Sequence, residues 1–334
     1  MSAPAVSVLL AVRNEEEHLP AALASLRRQT FADWELVAVD DGSSDRTPQL
    51  LAAAAGDPRV RIITLPPSGL VSALNTGLAA CRAPLVARMD GDDVCHPQRL
   101  ALQVDHLHRH PDTLLLASRV RHFPRSRLQE GMRSYERWQN DLLDDAAIRR
   151  DLYVESPFAH PSVSYRAAAV RAVGGYRDLG WAEDYDLWLR LARLPGRFAR
   201  LPQILLCWRD RSERLTRTSP ACSQAAFRAC KVHHLCQEFL AGVENVILWG
   251  AGLEGKAWRL ALGAAGVEVA AWVDVDRRKI GQRIHGAPVL PIDALGPGAG
   301  KILITIGARG ARGQVRKWAD QRGLREGQDF LCVT

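Results

Sequence analysis

Short continuous apolar runs alternate with segments of helical spacing along the first 90 residues. The run at residues 5–12 predicts a buried strand, and the next segment carries apolar residues at helical spacing, namely Leu19, Ala22, Leu23 and Leu26. Further strands are predicted at residues 35–39, 60–65 and 84–89, with helices at 45–55 and 70–80. A chain that alternates in this way favours an α/β fold with a doubly wound, mostly parallel sheet.

The pattern loosens after residue 93 and starts afresh at residue 243. A helix is predicted at 97–110 and a strand at 113–120, whereas 121–150 has no clear period. Order returns at 156–165, 167–173 and 183–194, and a helix at 220–240 is typical of a connector. Residues 243–274 then follow the order strand, glycine turn, helix, strand, and 301–306 and 314–322 continue the alternation. We therefore predict a first domain over residues 1–218, a helical connector over 219–242 and a small Rossmann-like domain over 243–334.

The composition is that of a globular protein. The chain has 334 residues, of which 47% are hydrophobic and 24% charged, and this length favours about two domains. Its seven cysteines are scattered without a C-x-x-C pair, as expected for reduced thiols rather than a zinc site. No apolar run reaches the ~18 to 20 residues of a membrane span, and no signal-peptide pattern precedes the first strand. We expect a cytoplasmic protein that works in solution or at the inner face of the membrane.

The net charge of +7 raises the question of an anionic partner. Basic residues concentrate at 119–127 and 197–217, but neither segment interleaves aromatic residues, and no helix-turn-helix or zinc-finger spacing is present. The sequence therefore argues against nucleic-acid binding. Three interpretations stay open for the arginines: an ordinary solvated surface, a phosphate-bearing substrate, or an anionic membrane surface.

Two acidic clusters each follow a predicted strand directly. Asp40 and Asp41 end one strand, and Asp90 to Asp93 follow another in the segment MDGDD. Open α/β sheets bind ligands at the carboxyl ends of their strands, and a D-x-D such as Asp90 and Asp92 can hold Mg²⁺ or Mn²⁺ on a diphosphate. These clusters predict a nucleotide-sugar enzyme.

Three blocks in order extend this prediction to a family. VSVLLAVRNEEEHLPAALASLRRQTFADWELVAVDDGSSDRT, MDGDDVCHPQRL and WAEDYDLWLRLAR resemble the inverting family 2 glycosyltransferases of the GT-A fold, over roughly the first two-thirds of the chain. The resemblance implies metal-dependent transfer of a sugar, with inversion, from a nucleotide-diphosphate sugar. A UDP-sugar is the favoured donor, and the acceptor is a glycan or a lipid-linked glycan in envelope or extracellular polysaccharide synthesis.

The resemblance also implies roles for individual residues. Asp184 is the general base with Glu183 beside it, Asp92 holds the metal, and Asp90 lies near the ribose. Asp41 accepts a hydrogen bond from the base, and Arg13 stands where the family usually has an aromatic side chain, which leaves the identity of the base open. The other residues predicted at the nucleotide-sugar site are Ala11, Glu15, Asn75, Arg88 and Arg209.

Structural alternatives accompany several of these roles. Asp41 could form an Asx-turn or a helix cap, and Glu183 and Asp184 could simply complement a helix N-terminus. His160 is a secondary candidate that could equally be a structural residue. Arg209, with Arg211 and Arg214, lies in a loop that could cover the diphosphate, although surface arginines are an equal interpretation.

The chain departs from the processive members of the family. These carry a Q-x-x-R-W motif after the catalytic acid, whereas here Arg137-Trp138 precedes Asp184 and lacks the glutamine at that spacing. We therefore expect one sugar to be transferred per encounter.

A second candidate site lies in the C-terminal region. Gly250, Gly252 and Gly255 form G-x-G-x-x-G, with Asp274 roughly 20 residues further on, which is the dinucleotide fingerprint. The region resembles the small Rossmann-like domain that precedes the β-helix in some bacterial sugar acetyltransferases. It is predicted either to bind a nucleotide, nucleotide-sugar or dinucleotide, or to be an inert docking module. The sequence does not predict an oligomeric state.

Other functional classes fit the sequence less well. A sugar-phosphate nucleotidyltransferase needs a glycine-rich basic loop after its first strand, and AVRNEEEHL at residues 11–19 has no glycine. A nicotinamide oxidoreductase centred on the C-terminal fingerprint would lack a catalytic domain after it. A pure nucleotide-binding module would leave the D-x-D and E-D acids idle.

Overall fold

The computed structural model describes residues 3–308 and 310–334, without the side chain of Leu215. It contains two compact units. The first comprises the residues up to 149 together with 157–218, and the second comprises 150–156 and 219–334. Among the described residues, no helix is both long and apolar enough to cross a membrane.

The first unit is built on an eight-stranded sheet. Its strands are β1 (Val6–Val12), β2 (Trp34–Asp41), β3 (Val60–Leu65), β4 (Leu85–Met89), β5 (Val94–Cys95), β6 (Thr113–Phe123), β7 (Ser164–Arg166) and β8 (Arg197–Arg209). Its helices are α1 (Leu19–Arg27), α2 (Thr47–Ala54), α3 (Leu70–Ala80), α4 (Arg99–Arg109), α5 (Glu130–Asp141), α6 (Asp145–Asp151), α7 (Ala167–Ala172), α8 (Glu183–Leu191) and α9 (Leu215–Thr218). Short 3₁₀ turns cover Arg125–Arg127 and His160–Ser162.

The strand order is β3-β2-β1-β4-β7-β6-β8-β5. The first four strands are parallel, and β6 is parallel to β8, while β7 and β5 run antiparallel to their neighbours. Every residue of β1 and β2 is buried, as expected for parallel strands with both faces covered. The predicted mostly parallel α/β sheet is confirmed, with antiparallel β5 and β7 as additions.

The topology creates a crevice beside β1. The chain proceeds from β1 through β2 to β3 on one side, and then β4 pairs with the other side of β1. Val12 pairs with Asp40 and Leu10 with Met89, so the residues that follow these strands meet at one edge. Open α/β sheets bind ligands where the strand order reverses in this way.

The region without clear sequence period contains two helices, α5 and α6. The face that α5 buries is polar: Glu136 is buried and accepts hydrogen bonds from the His122 backbone N–H at 2.6 Å and from Arg125 at 2.6 Å. Because a buried carboxylate replaces the usual apolar residues, no apolar period marks this helix.

The second unit contains a six-stranded sheet of order β11-β12-β10-β9-β13-β14. Its strands are β9 (Asn245–Trp249), β10 (Glu268–Val273), β11 (Arg283–Ile284), β12 (Ala287–Leu290), β13 (Ile302–Ile304) and β14 (Phe330–Cys332). Its helices are α10 (Gln224–Gln237), α11 (Leu253–Ala264) and α12 (Ala311–Asp320), with 3₁₀ turns at Pro220–Cys222 and Ile292–Ala294. The strands are parallel except for the β11–β12 hairpin. The order again reverses beside its first strand, β9.

Candidate active site

Three aspartates cluster directly after β4, at the edge where the strand order reverses. Asp90, Asp92 and Asp93 each place a carboxylate oxygen within 4.8 Å of the others. Asp93 is fully buried, and the side chains of Asp90 and Asp92 are 32% and 13% exposed. The predicted D-x-D therefore forms a compact acidic group that a ligand in the crevice can reach.

The three carboxylates differ in their affinity for protons. Burial opposes ionisation of Asp90, but the Arg88 guanidinium, 2.6 Å from its carboxylate, outweighs this and lowers the pKa of Asp90. Burial and the charge of Asp90 raise the pKa of Asp92. Burial and the charges of both neighbours raise the pKa of Asp93 well above its usual value. The nearby positive charges therefore do not fully offset the burial and the mutual repulsion of Asp92 and Asp93.

The cluster has the composition of a Mg²⁺ or Mn²⁺ site. Its donors are all carboxylate oxygens, which these hard cations prefer. Asp93 Oδ1 accepts a hydrogen bond from the Arg209 backbone N–H at 2.7 Å, while its buried Oδ2 has no hydrogen-bond partner in the described part of the chain. Unbalanced charge and an unsatisfied buried oxygen both fit a cation. Through Oδ1, Asp93 is thus bound to the end of β8.

Glu15 lies close enough to the same acids to feel the charges of Asp92 and Asp90. It is buried, and both of its carboxylate oxygens accept hydrogen bonds from Arg211, at 3.0 and 2.6 Å. Burial raises the pKa of Glu15 despite the guanidinium beside it. Glu15 thus lies in the predicted site, already paired with an arginine.

Asp41 and Arg13 lie at the same edge of the sheet. Asp41 accepts hydrogen bonds from the backbone N–H groups of Ser68 and Gly69, at 2.6 and 3.0 Å, and so holds the start of α3. Arg13 Nη1 is 4.0 Å from the Asp41 carboxylate, and its side chain is half exposed. Ala11 contributes the buried end of β1. The neighbouring Asp40 accepts from the Ser43 backbone N–H, so the predicted Asx-type contact belongs to Asp40.

The remaining predicted nucleotide-site residues have well-defined protein partners. Both ends of the Asn75 amide bind the Tyr176 backbone at 2.9 Å. Arg88 is fully buried beneath Asp90. Arg209 donates to the Asp92 carbonyl at 2.7 Å and stacks over the Phe123 ring. These contacts give all three residues structural roles, and direct nucleotide contacts by them stay predictions.

Asp184 and Glu183 begin helix α8, where the sequence predicted the general base. Glu183 lies 3.5 Å from His160 Nδ1, and His160 Nε2 is 3.1 Å from the Tyr176 hydroxyl. Burial opposes ionisation of Glu183, but the hydrogen bond and charge of His160 lower its pKa. Burial and the charge of Glu183 raise the pKa of Asp184 well above its usual value, and Asp90 adds to this. Two carboxyls whose pKa values are driven apart can divide their roles: Glu183 stays charged, while Asp184 is the stronger proton acceptor.

Two side chains connect the predicted residues: Tyr176 was not predicted from the sequence, and Arg211 was predicted only as part of a loop that could cover the diphosphate. Tyr176 links Asn75 to His160, and Arg211 joins Glu15 to Asp92. Tyr176 follows Gly174-Gly175, both of which have positive φ, and this glycine pair is the only sequence signal of a sharp turn there.

The predicted glycine loop of the second unit borders a cavity of about 280 Å³. The cavity lies at the ends of β9, β10 and β13 and includes Gly250, Gly252, Asp274, Lys279 and Thr305 in its lining. A Cβ on Gly255 would lie 1.9 Å from the Gly250 carbonyl oxygen, whereas one on Gly252 would meet open space. Asp274 accepts from the Ala251 backbone N–H at 3.1 Å and from Lys279 at 2.7 Å. Gly255 is thus required for packing, and Gly252 faces the cavity region without a packing constraint.

Comparison with known proteins gives consistent matches for the first unit. Residues 7–174 match the sequence profile of glycosyl transferase family 2. The chain is 34% identical over 204 residues to the amylovoran biosynthesis glycosyltransferase AmsE of Erwinia amylovora, covering 60% of this chain and 74% of that protein.

Solved structures show the same fold at low sequence identity. S. aureus TarS 1-349 in complex with UDP-GlcNAc is 17% identical, with a TM-score of 0.58 over 78% of this chain and 80% of that one. The mannosyltransferase PcManGT from Pyrobaculum calidifontis, in complex with GDP-Man and Mn²⁺, is 20% identical, with a TM-score of 0.51 over 80% of this chain and 70% of that one. At these identities the likeness concerns the fold alone.

Proposed function

The chain belongs to glycosyl transferase family 2, and from this premise we propose that it transfers a sugar from a nucleoside-diphosphate sugar to an acceptor hydroxyl with inversion. The observation that carries the proposal is the placement of the Asp90–Asp92 pair at the reversal of strand order, within the electrostatic reach of Asp184. The Asp90–Asp92 pair can hold a cation that binds a diphosphate, and Asp184 can take the proton of an acceptor hydroxyl.

The residues of the chain divide the chemical work. Asp92 would hold a divalent cation, which supplies positive charge for the leaving diphosphate. Asp184 takes the proton of the acceptor hydroxyl as that oxygen attacks the anomeric carbon, and the diphosphate leaves from the opposite face. A single displacement of this kind inverts the anomeric configuration. Arg88 holds Asp90, and His160 contacts Glu183 beside the base.

The donor and the setting rest on similarity. TarS binds UDP-GlcNAc and PcManGT binds GDP-Man, which supports a nucleotide-sugar donor, and we favour a UDP-sugar. The similarity to an amylovoran biosynthesis enzyme supports a role in envelope or extracellular polysaccharide synthesis. The acceptor is then a glycan or a lipid-linked glycan, extended by one sugar per encounter, with peripheral contact at the membrane.

Ligand binding to the full chain tests the donor. Thermal shift and calorimetry with UDP, GDP, dTDP and CMP, each with Mn²⁺ and with EDTA, identify the nucleobase of the donor. We expect one nucleoside diphosphate to stabilise the protein strongly and only with the cation. Equal shifts for all nucleotides, or none, would contradict a dedicated donor site.

The raised pKa of Asp184 predicts a pH dependence of turnover. Asp184 accepts a proton only when ionised, so kcat should rise with pH through its folded-state pKa, which lies above the usual ~3.9. Because the charge of Glu183 helps to raise the pKa of Asp184, Glu183→Gln should move the acid limb of the kcat profile to lower pH. The pH profiles of kcat for both proteins provide the measurement. If the acid limb lies at the same pH in both proteins, Glu183 does not raise the pKa of Asp184.

For the second unit we propose a nucleotide site at the glycine loop, within the domain organisation of residues 1–218, 219–242 and 243–334. The cavity supports it, because it lies at the reversal of strand order beside the N-terminus of α11. Its volume of about 280 Å³ is at the lower end of ligand pockets, and favours part of a mononucleotide over a full dinucleotide. The resemblance to acetyltransferase Rossmann-like domains supports a nucleotide-sugar.

Two glycine substitutions separate binding from folding in this unit. Gly252→Val should leave the full chain folded but remove a ligand-induced thermal shift, because its side chain projects into open space near the cavity. Gly255→Val should destabilise the unit itself, because its Cβ would clash with the Gly250 carbonyl. Thermal shifts of the Asp184→Asn protein are measured in EDTA, which prevents the cation-dependent binding expected at the first-unit site, with UDP-sugars, NAD and NADP, and with Gly252→Val added. Identical shifts with and without Gly252→Val would favour the docking-module interpretation.

A further inference from the structure

The segment after β8 carries an arginine that contacts the predicted metal carboxylate. Arg211 binds both oxygens of Glu15, and its Nε lies 3.1 Å from Asp92 Oδ2. The Arg211 side chain is 31% exposed, whereas those of Glu15 and Asp92 are 9% and 13% exposed. A partly exposed cation is thus paired with two nearly buried anions.

The two contacts of Arg211 differ in quality. The contact with Glu15 is bidentate, the strongest geometry for a guanidinium and a carboxylate. The contact with Asp92 is an ion pair without hydrogen-bond alignment, because the buried Nε has no hydrogen-bond partner among the residues that the structure describes. Glu15 therefore anchors Arg211, and Asp92 is the partner that can be exchanged at least cost.

The charges show what Arg211 does for Asp92. The Arg211 guanidinium lies 3.1 Å from the Asp92 carboxylate and so places a positive charge directly beside it. An arginine guanidinium stays protonated in proteins, and its two hydrogen bonds to Glu15 hold it in this position. Arg211 consequently stays charged and offsets the negative charge that a divalent cation would otherwise find at Asp92.

We propose that Arg211 competes with the divalent cation for Asp92 and so makes tight metal binding depend on the nucleoside diphosphate. When the diphosphate binds, its oxygens offer Arg211 a planar bidentate partner, and Asp92 becomes available to the cation. Arg211 is then a specificity-determining residue that couples the two ligands. This inference rests on the proposed nucleotide-sugar transfer.

Mn²⁺ binding tests the coupling without any measurement of turnover. Free Mn²⁺ is titrated by electron paramagnetic resonance with the full chain, in the presence and absence of UDP or whichever nucleoside diphosphate the ligand screen identifies. We expect that nucleotide to tighten Mn²⁺ binding to the wild type by at least ~5-fold, the lower end of usual coupling between sites. Arg211→Gln should tighten Mn²⁺ binding in the absence of nucleotide. The ratio of Mn²⁺ affinities with and without nucleotide should then fall towards one.

Arg214→Gln is the matched control. The Arg214 charge also acts on Asp90 and Asp92, but its guanidinium stacks on Trp208 at 4.2 Å instead of contacting Asp92. It should change the Mn²⁺ affinity with and without nucleotide by similar factors and preserve the coupling. Arg211→Lys, which retains the charge, should stay near wild type without nucleotide and guards against a folding defect in the glutamine variant.

The outcomes separate this inference from the proposed function. The role of Arg211 would be overturned if Arg211→Gln left the nucleotide-dependent tightening of Mn²⁺ binding unchanged, or if Arg214→Gln reduced it equally. Either result would leave the transferase proposal standing. Failure of Mn²⁺ to bind the wild type with any nucleoside diphosphate would overturn the metal-dependent mechanism, and this inference with it.

Discussion

Asp184→Asn is expected to lower turnover by ~10² to 10⁴-fold while nucleotide affinity stays nearly unchanged. The amide cannot accept the acceptor proton, so the loss falls on the transition state. It retains an oxygen that can still accept the hydrogen bond from the Tyr185 backbone N–H, at 2.6 Å in the native protein. Single-turnover rates and calorimetric binding of the nucleoside diphosphate measure the two effects separately.

The exposed Asp178 provides a control for Asp184. It precedes α8 by five residues, and Asp178→Asn makes the same chemical change outside the acidic crevice, so it should leave turnover close to wild type. A loss of nucleotide binding or of folding in Asp184→Asn would instead make Asp184 a cap of the helix. Retention of full turnover would transfer the role of base to another group.

Asp92→Asn, or excess EDTA with the wild type, is expected to abolish turnover. The cation would lose its main carboxylate, and the charge that grows on the leaving diphosphate would stay uncompensated. Nucleotide-sugar turnover in EDTA, followed by rescue with Mg²⁺ or Mn²⁺, measures the requirement directly. Full turnover in EDTA would contradict a metal-dependent mechanism.

Asp93 is the matched control for Asp92 within the same cluster. Its pKa is raised well above the usual value, and Oδ1 already accepts from Arg209. Asparagine retains an oxygen for the Arg209 N–H, and the ion-paired Asp92 is left intact, so Asp93→Asn should retain more metal-dependent turnover than Asp92→Asn. Equal losses in the two variants would show that the cluster acts as a unit instead of through Asp92.

Much of the fold was predictable because apolar period and burial agree over the first 90 residues. Helix α1 buries Leu19, Ala22, Leu23 and Leu26, the same residues whose spacing predicted it. Helix α5 was missed because its buried face carries Glu136, which is stabilised by hydrogen bonds that no periodicity reveals. The antiparallel β7 has three residues, too few for a pattern.

The acids of the candidate site were predictable from their position after strands, but their partners were not. Asp90 and Asp92 follow β4 directly, as the MDGDD segment indicated. The pairing of Arg211 with Glu15 joins residues 196 positions apart, and the clamp of Asn75 on Tyr176 spans 101. Contacts at such distances depend on the tertiary fold, so local patterns could not distinguish these structural partners from ligand contacts.

The most direct test of sugar transfer at these acids is the release of nucleoside diphosphate by the full chain from a panel of nucleotide sugars. Wild type, Asp184→Asn and Asp92→Asn are compared side by side, with Mn²⁺ and with EDTA, in the presence of candidate glycan acceptors. We predict acceptor-dependent release by the wild type from one class of nucleotide sugar, only with the cation, and a severe loss in both variants. Release that persists undiminished in both variants would contradict the assignment of the reaction to this site.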